Sequence, residues 1–531
     1  MKRDFAALTH QPYDLLVCGG GIYGAWTAYD AALRGLKVAL IDQGDWASGT
    51  SSASSKLIHG GLRYLETYDF KLVSKSLKER ELLLKNAPHR VWPLQFGVPI
   101  YASQHNQRIS RFTLKLGLMI YDWLAGKLPT KMRHRYLNAE QSVHQLPYLC
   151  HDALTGSFIY SDAQTDDARL VLELIAGALD AGANCVNYCQ LTQFQQANES
   201  THEVSLKDLL TGEQQTIRAK QIVFTTGQWL VNDEISQSWC RLAKGIHLIM
   251  PAITEDNALL LTAKSDGRVF FLIPWYGKSL LGTTDTDYCG DIANVKVESN
   301  DIRYLLDAVN DYLQIPWGEQ DIIGKFAGLR VFKQNEQSST HKTPIAPSSV
   351  SRDWELKSIS KSVHYSIGGK ITSARQDAAS IVDEVCQQLG NPLSCSTQRL
   401  FPWAPHEDFE IWLRQMQSNA SELGIDAESA QWLLSRHGTR TTDIFQRIEQ
   451  QPQLAHRITP SVPLIYADLI HCAQFEMVMH LDDLLRRRMP LLILAKLSRD
   501  TLEQIAHSVS DILQWDSDRI TKEMDRCCDY E

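Results

Sequence analysis

The sequence predicts an α/β fold built from several domains, and three observations support this prediction. A strand–turn–helix–strand pattern lies near the N-terminus, short apolar strands separated by turn signals fill the middle, and long helical stretches follow Pro402. The chain has 531 residues, which at roughly 150 residues per domain suggests two to four domains. With 44% apolar and 22% charged residues, the chain has the composition of a folded globular protein.

The N-terminal pattern is a glycine-rich turn between two apolar strands. A short apolar run at 15–17 leads into the motif GGGIYG at 19–24, and a run of small and apolar residues at 25–33 predicts a helix. A second apolar strand at 37–41 ends at Asp42, eighteen residues after the last glycine of the motif. These elements in this order indicate a βαβ unit that binds a dinucleotide.

Each glycine of this motif has a separate physical task. Gly19 allows the tight turn, Gly21 lets the backbone approach a pyrophosphate, and Gly24 lets the helix pack closely on the strand. The helix N-terminus then holds the anion, and the acid at the end of the second strand accepts hydrogen bonds from a ribose. The predicted dinucleotide contacts here are Gly19, Gly21, Ile22, Tyr23, Gly24, Asp42 and Gln43. The motif alone does not distinguish FAD from NAD.

The segment SSASSKLIHGGLRYLE at 51–66 favours FAD. Its short hydroxyls suit the ribityl chain of a flavin, and Gly60 with Gly61 would let the backbone pass close to a flat ring. The alternative is a serine-rich surface loop, which has no need of the lysine, histidine, arginine and tyrosine that follow. The predicted flavin contacts in this part of the chain are Thr50, Ser51, Ser52, Ser55, Lys56, Leu57 and His59.

The two segments together resemble the FAD-dependent, respiratory glycerol-3-phosphate dehydrogenases. Further motifs similar to that family follow in order along the chain: YSD at 160–162, DDARL at 166–170, KGIH at 244–247, FLIPW at 271–275, GTTD at 282–285, GGKIT at 368–372 and a helical segment at 475–488. The chain departs from the family in two loops. It reads TTGQW at 225–229 where the family has NATGPW, and GLRV at 328–331 where the family has GVRP.

The resemblance implies a D-amino acid oxidase-like architecture, to which the strand and helix patterns conform. The expected parts are a discontinuous Rossmann-type FAD-binding domain (12–90, 150–240 and 345–390), a substrate domain with an antiparallel sheet (91–149 and 241–344) and a C-terminal α-helical domain (400–531). Short strands are predicted at 259–262, 269–274 and 280–283, and helices at 371–389, 428–436 and 468–488.

The resemblance also implies that sn-glycerol 3-phosphate is oxidised to dihydroxyacetone phosphate, with hydride transfer to FAD. Arginine forks suit the phosphate, and a histidine can accept the hydroxyl proton near neutral pH. The expected substrate contacts are Arg63, Tyr64, Arg330 and Arg352, and the expected catalytic residues are His59, His247, Arg330 and Lys370. Gly227, Gly369, Lys370 and Thr372 are expected beside the flavin. The eleven cysteines show no zinc-like spacing, so no metal site is predicted.

Two other functions fit parts of the sequence. An FAD-dependent oxidase or dehydrogenase of the same fold could act on another small anionic hydroxy or amino acid, since fold alone does not set the substrate. A flavoprotein-like scaffold that binds partners without turnover would predict damage in the cofactor segments, and those segments are intact. The arginine set favours the phosphate ester.

Charge patterning suggests a membrane partner and no nucleic acid. The net charge of -9 argues against general nucleic-acid binding, yet segment 108–136 holds seven lysines and arginines against one acid, a net of +6. Within it Phe112, Leu116, Met119, Ile120 and Trp123 recur at helical spacing. A basic amphipathic helix on an anionic bilayer is one interpretation, and a core-facing helix with a solvated basic edge is the other.

A membrane site would give the reduced flavin access to ubiquinone or menaquinone, as the family resemblance implies. The first residues lack an apolar signal region, and no apolar run reaches the roughly 18 residues that a membrane span needs. We therefore expect a cytoplasmic chain, peripherally bound to the inner face of the cell membrane. The sequence is also compatible with a homodimer.

Overall fold

The computed structural model describes residues 1–65, 68–102, 110–198, 200–253, 256–334, 353–391 and 393–528, without the side chain of residue 63. The strands are β1 (Tyr13–Cys18), β2 (Val38–Ile41), β3 (Leu57–Ile58), β4 (Val91–Tyr101), β5 (Arg135–Asn138), β6 (Leu154–Thr165), β7 (Asn184–Val186), β8 (Cys189–Asn198), β9 (Thr201–Asp208), β10 (Gln214–Phe224), β11 (Cys240–Pro251), β12 (Asn257–Thr262), β13 (Val269–Trp275), β14 (Lys278–Gly282), β15 (Thr286–Tyr288), β16 (Gly324–Lys333), β17 (Glu355–Ser360), β18 (Val363–Ile367), β19 (Arg457–Thr459) and β20 (Val462–Ile465).

The α-helices are α1 (Ile22–Leu33), α2 (Phe70–Asn86), α3 (Arg111–Ala125), α4 (Ala139–Gln145), α5 (Asp167–Asp180), α6 (Ser299–Asn310), α7 (Ala374–Gln388), α8 (Phe409–Glu422), α9 (Ala427–His437), α10 (Thr441–Gln450), α11 (Tyr466–Phe475), α12 (Leu481–Asp483), α13 (Leu491–Leu494), α14 (Arg499–Leu513) and α15 (Ser517–Cys528). None of the helices in the described ranges is long and apolar enough to cross a membrane.

The first sheet has a parallel centre in the order β18-β10-β1-β2-β7, with β17 at one edge and the β8–β9 hairpin joined to β10. Helix α1 packs between α5 and α7, and its apolar face shares a core with β1 and β2. β1 is buried along nearly its whole length, as expected for a parallel strand covered on both faces. The predicted strand–turn–helix–strand unit is confirmed.

The second sheet is mostly antiparallel, in the order β15-β11-β14-β13-β12-β4-β6-β3, with β16 added to β11 and β5 to β6. It contains the three short strands that the sequence predicts between 259 and 283. β3 and β6 come from ranges that the sequence assigns to the FAD domain, yet they pair in this sheet. The division of the chain into domains therefore stays a prediction.

One of the two unusual loops proves to be strand. Val331, which stands where the family has proline, lies in β16 and pairs with Leu242 of β11. A proline has no N–H to donate to the ladder, whereas valine favours an extended backbone. β16 runs through Val331 and ends at Lys333.

The C-terminal region is mainly helical, as predicted, but the single helix expected over 468–488 is wrong. α11 ends at Phe475, Met477 adopts a positive φ of 53°, and the chain resumes as α12 followed by a π-helical turn over Leu484–Arg488. The carbonyls of Glu476 and Met477 accept hydrogen bonds from the Arg488 guanidinium. The buried arginine thus takes carbonyls that a continuous helix would use internally.

Candidate active site

A cavity of about 1360 Å³ is lined by residues of both sheets. Its wall includes the glycine-rich turn after β1, the hydroxyl-rich segment after β2, the loop after β10, parts of β11, β13 and β16, and the turn after β18. The volume exceeds the roughly 300–1,000 Å³ of pockets that hold one drug-sized ligand. There is room for a dinucleotide together with a small second molecule.

The glycine-rich turn has the close contacts that its spacing predicts. Gly19 has a φ of +109°, and a Cβ at Gly24 would collide with the carbonyl oxygen of Gly19. A Cβ at Gly21 would lie 3.0 Å from Ser51 Oγ, and the Ile22 N–H donates to that hydroxyl at 2.9 Å. The turn therefore presents bare backbone to the cavity beside the first turn of α1.

Asp42 lies on the cavity wall at the end of β2, with Gln43 next to it. Its two carboxylate oxygens accept hydrogen bonds from the N–H groups of Gly20, at 2.6 Å, and Gly44, at 2.7 Å. Burial raises the pKa of Asp42 to about 6, against the lowering effect of these two donors. The carboxylate keeps further lone pairs, so it can also accept from a ribose.

Most of the predicted flavin segment lines the cavity: Thr50, Ser51, Ser55, Leu57 and His59 do, as do Gly227 and Gly369. Ser52, Lys56 and Thr372 are buried but lie outside the described lining. The Lys56 ammonium is 2.6 Å from the carboxylate of Asp167 and 4.6 Å from the ring centroid of Trp275. The structure therefore places the Lys56 side chain in a buried ion pair behind the wall.

The GGK turn is held by a hydrogen-bond network that the sequence did not reveal. Tyr23 Oη accepts from the Lys370 N–H at 3.0 Å and donates to Asp377 at 2.8 Å. Gly369 has a φ of +98°, and a Cβ there would collide with the same hydroxyl. The Lys370 ammonium lies 3.9 Å from the ring centroid of Tyr64. Tyr23 is thus placed to fix the turn that carries Lys370 into the cavity.

The two predicted histidines differ in their surroundings. His247 is buried, its Nε2 is 2.9 Å from Ser55 Oγ, and its ring stacks on Phe326. Burial, followed by the charges of Arg330 and Lys56, holds the pKa of His247 well below its usual value, so the imidazole is neutral at pH 7. His59 is only partly buried.

The backbone at His59 is tied to the turn after β18. Its N–H donates to Thr372 Oγ1 at 3.2 Å, and its ring centroid is 6.4 Å from that of Phe271. The Thr372 side chain lies outside the lining, but it is hydrogen-bonded to the backbone of His59, which lines the cavity.

Of the predicted phosphate-binding arginines, the structure describes the side chain of Arg330 alone. The Arg330 guanidinium donates to Asp285 Oδ1 at 3.0 Å, to the Thr284 carbonyl at 3.0 Å and to Thr283 Oγ1 at 2.9 Å. Arg352 and the side chain of Arg63 lie outside the described residues. Tyr64 and Lys370 line the same cavity as Arg330.

Sequence reasoning missed four polar residues on or behind this wall: Gln228, Arg268, Asp285 and Asp377. Asp285 is the last residue of the GTTD motif and Gln228 lies in one of the two loops that depart from the family, so the sequence offered a reason to consider both as site residues. Arg268 and Asp377 belong to no such motif, because only tertiary contacts bring them to the site.

Comparison with known proteins agrees with this geometry. Residues 14–350 match the model of the FAD dependent oxidoreductase family, and residues 407–520 match the C-terminal domain of alpha-glycerophosphate oxidase. A glycerol-3-phosphate dehydrogenase of Synechocystis sp. is 33% identical, over 99% of this chain and 98% of that protein. The aerobic glycerol-3-phosphate dehydrogenase of Staphylococcus aureus is also 33% identical, over 91% and 87% of the two chains.

The chain belongs to the glycerol-3-phosphate dehydrogenase family of FAD-dependent oxidoreductases. The solved structure of the Bacillus halodurans glycerol-3-phosphate dehydrogenase, complexed with FAD, superposes with a TM-score of 0.77 at 27% identity, covering 99% of this chain and 95% of that one. The L-alpha-glycerophosphate oxidase of Mycoplasma pneumoniae shares the fold, with a TM-score of 0.56 at 16% identity, covering 74% and 100%.

FAD is the cofactor of this family, and the cavity fits it. The bare glycine backbone, the hydroxyls after β2 and the carboxylate of Asp42 all line one continuous space. These groups are the ones that a pyrophosphate, a ribityl chain and a ribose require.

Proposed function

We propose that this protein oxidises sn-glycerol 3-phosphate to dihydroxyacetone phosphate and passes the electrons to a membrane quinone, ubiquinone or menaquinone. The observation that carries the proposal is one cavity in which a dinucleotide cradle meets Arg330, His247 and Lys370. FAD, when bound, supplies the hydride acceptor. The chain must then bind the phosphate, orient C2 and accept the hydroxyl proton.

The phosphate is assigned to the cationic wall around Arg330. A guanidinium offers a fork of donors that matches a phosphate, and Lys370 adds a second positive charge on the same cavity. Arg63 and Arg352 are proposed to complete the cationic set, as the family resemblance implies, with Tyr64 beside Lys370.

The hydroxyl proton is assigned to a histidine. A neutral imidazole can accept a proton, and the lowered pKa of His247 keeps its ring neutral. Ser55 is hydrogen-bonded to Nε2 of that ring and so influences which nitrogen is the acceptor. His59, on the same wall, is the second proposed acceptor.

The quinone is assigned to a membrane face on helix α3. Four of the five apolar residues predicted as a stripe are strongly exposed, with side chains 48–78% accessible: Phe112, Leu116, Met119 and Trp123. The opposite side of α3 buries Leu118 and Tyr121. Six lysines and arginines flank the stripe between 111 and 135, which suits an anionic bilayer. The proposal therefore locates the protein at the cytoplasmic face of the membrane.

The proposed membrane face is close to the flavin wall. Tyr121 Oη accepts from the Gly60 N–H at 2.9 Å, and Gly60 lies between the cavity-lining residues His59 and Gly61. An apolar acceptor dissolved in the bilayer would approach the cavity from this side.

Anaerobic flavin spectroscopy tests the proposal. The purified holoprotein in detergent receives sn-glycerol 3-phosphate and then a short-chain quinone, while the oxidised flavin absorption is followed. We expect bleaching on the first addition and recovery on the second. A flavin that does not bleach would reject the substrate, and reduction by a 2-hydroxy acid or an amino acid instead would establish the alternative oxidase. Bleaching without recovery would reject the quinone as the electron acceptor.

A further inference from the structure

We propose that Asp285 is a positioning residue for Arg330, and that Arg268 in turn holds Asp285 in place. This inference rests on the proposed function, because Arg330 is there assigned to the substrate phosphate. Asp285, Arg268 and Arg330 all line the cavity.

The guanidinium of Arg330 is held on three sides by the turn after β14. Asp285 Oδ1 and the Thr284 carbonyl each lie 3.0 Å from Nη1, and Thr283 Oγ1 lies 2.9 Å from Nη2. A Cβ at Gly245 would come within 2.6 Å of Nη2, so the glycine of β11 leaves room for the fork. These contacts fix the plane of the guanidinium while 23% of the side chain remains accessible.

Asp285 is itself anchored by a second arginine. Arg268 donates from Nη1 to the Asp285 carbonyl at 2.7 Å, and its Nε lies 3.2 Å from the carboxylate of Asp266. Tyr304 of α6 donates to the same carboxylate at 3.0 Å. A continuous row of hydrogen bonds and one ion pair therefore runs from helix α6 to the cavity wall and ends at Arg330.

This row of contacts affects substrate binding because it orients the Arg330 guanidinium. A free arginine side chain samples many rotamers, and ordering it on binding costs conformational free energy, which a side chain already ordered does not lose again. The Asp285 carboxylate cannot attract a phosphate, since both are negative, so its contribution is to pre-order Arg330. An amide at position 285 would retain the oxygen acceptor without the charge, whereas an alanine would lose both.

This distinction defines the experiment. We would measure KM and kcat for sn-glycerol 3-phosphate in the holoenzyme, and inorganic phosphate binding by perturbation of the oxidised flavin spectrum. Asp285→Ala should raise KM and the phosphate Kd about 10-fold, equivalent to about 1.4 kcal/mol, with kcat changed less than about 3-fold. For Asp285→Asn, both KM and the phosphate Kd should remain within about 3-fold of the wild-type values. Asp287→Ala, which breaks the exposed ion pair between Arg241 of β11 and Asp287 of β15, is the matched control.

The phosphate titration separates this inference from the proposed function. If sn-glycerol 3-phosphate fails to bleach the flavin but Asp285→Ala still weakens phosphate binding, the substrate is wrong and the positioning role stands. If the wild type turns over and Asp285→Ala changes neither KM nor the phosphate Kd, the positioning role is overturned.

Arg268→Gln provides a second variant if Asp285→Ala does not retain FAD. We expect it to raise both constants about 3-fold, because Arg330 keeps its direct partners. An increase above about 10-fold in Arg268→Gln, the increase expected for Asp285→Ala, would show that Arg268 contacts the anion directly and would overturn the proposed order. Unchanged constants in Arg268→Gln would likewise overturn it.

Discussion

At the scale of single residues, Asp42 shows how burial links cofactor binding to pH. Its pKa is about 6 in the ligand-free chain, because burial disfavours the charged carboxylate. The proposed ribose contact needs the ionised form, which accepts hydrogen bonds only. Below pH 6 a proton must therefore leave the carboxyl group when FAD binds.

We expect the affinity for FAD to be nearly constant above pH 7 and to fall below pH 6, by up to about 10-fold per pH unit. Titration of the apoprotein with FAD between pH 5 and 8 measures this dependence. Asp42→Asn should bind FAD more weakly at every pH, and its affinity should no longer fall below pH 6. If the affinity of Asp42→Asn for FAD fell with pH as in the wild type, the pH dependence would belong to another group.

Gln228, which stands where the family has proline, connects the cavity-lining segment after β2 to the chain that follows β15. Its Nε2 donates to the Ile292 carbonyl at 3.3 Å, and its Oε1 lies 3.3 Å from Thr50 Oγ1. Because each such contact contributes about 1 kcal/mol, Gln228→Ala should release FAD roughly 3- to 10-fold faster. Recovery of free FAD fluorescence after dilution measures the rate, and Gln237→Ala, an exposed residue on the same loop, is the control. Equal release rates would contradict the role.

At the scale of elements, α3 carries the prediction about the membrane. A double variant, Phe112→Glu with Trp123→Glu, removes the two most exposed side chains of the stripe. Burying a large apolar side chain is worth about 1.5–3 kcal/mol, so binding to anionic vesicles should weaken at least 10-fold. Vesicle sedimentation measures it, and flavin reduction by substrate should be unchanged.

The matched control for that variant is Ile411→Glu on α8, which alters an exposed apolar residue on a different helix. Its vesicle binding should equal that of the wild type. If the α3 variant bound vesicles normally, the stripe would not be the membrane face.

Elements with strong local signals were predictable, and those set by distant contacts were not. The β1–α1–β2 unit follows from apolar runs and glycine spacing within 30 residues. The break after Phe475 does not, because the cause is Arg488, which takes the carbonyls of Glu476 and Met477. In the site, motif residues such as Asp42 and Arg330 reach the cavity, whereas the Lys56 side chain turns to Asp167 because a buried carboxylate is available there.

At the scale of the whole molecule, buried ion pairs join the C-terminal region to the loop after β2 and to helix α5. Arg488 and Asp45 are both fully buried, with Nη2 at 2.9 Å from Oδ1, and Arg487 contacts the same carboxylate. Removing one partner of such a pair leaves an uncompensated charge and typically costs about 3–5 kcal/mol. Arg169 and Glu476 form a second pair of this kind.

We therefore expect Arg488→Ala to lower the free energy of unfolding by about 3 kcal/mol, at the low end because Arg487 still neutralises Asp45. Urea denaturation of the holoprotein measures this change. Arg499→Ala, in the exposed Arg499–Asp525 pair, should cost no more than about 1 kcal/mol. Equal effects of the two substitutions would show that the buried pair does not hold the molecule together.

The loop after β2 contributes both to the cofactor site and to the buried ion pairs of the C-terminal region. Gly44 donates to Asp42 on the cofactor side, and one residue later Asp45 receives the two arginines of the C-terminal helices. Whatever orders this loop from one side also favours its contacts on the other, so FAD binding adds to the stability of the whole assembly. A cell that runs short of flavin would then accumulate chains whose C-terminal helices open more readily to proteases, and cofactor supply would set how long each copy survives.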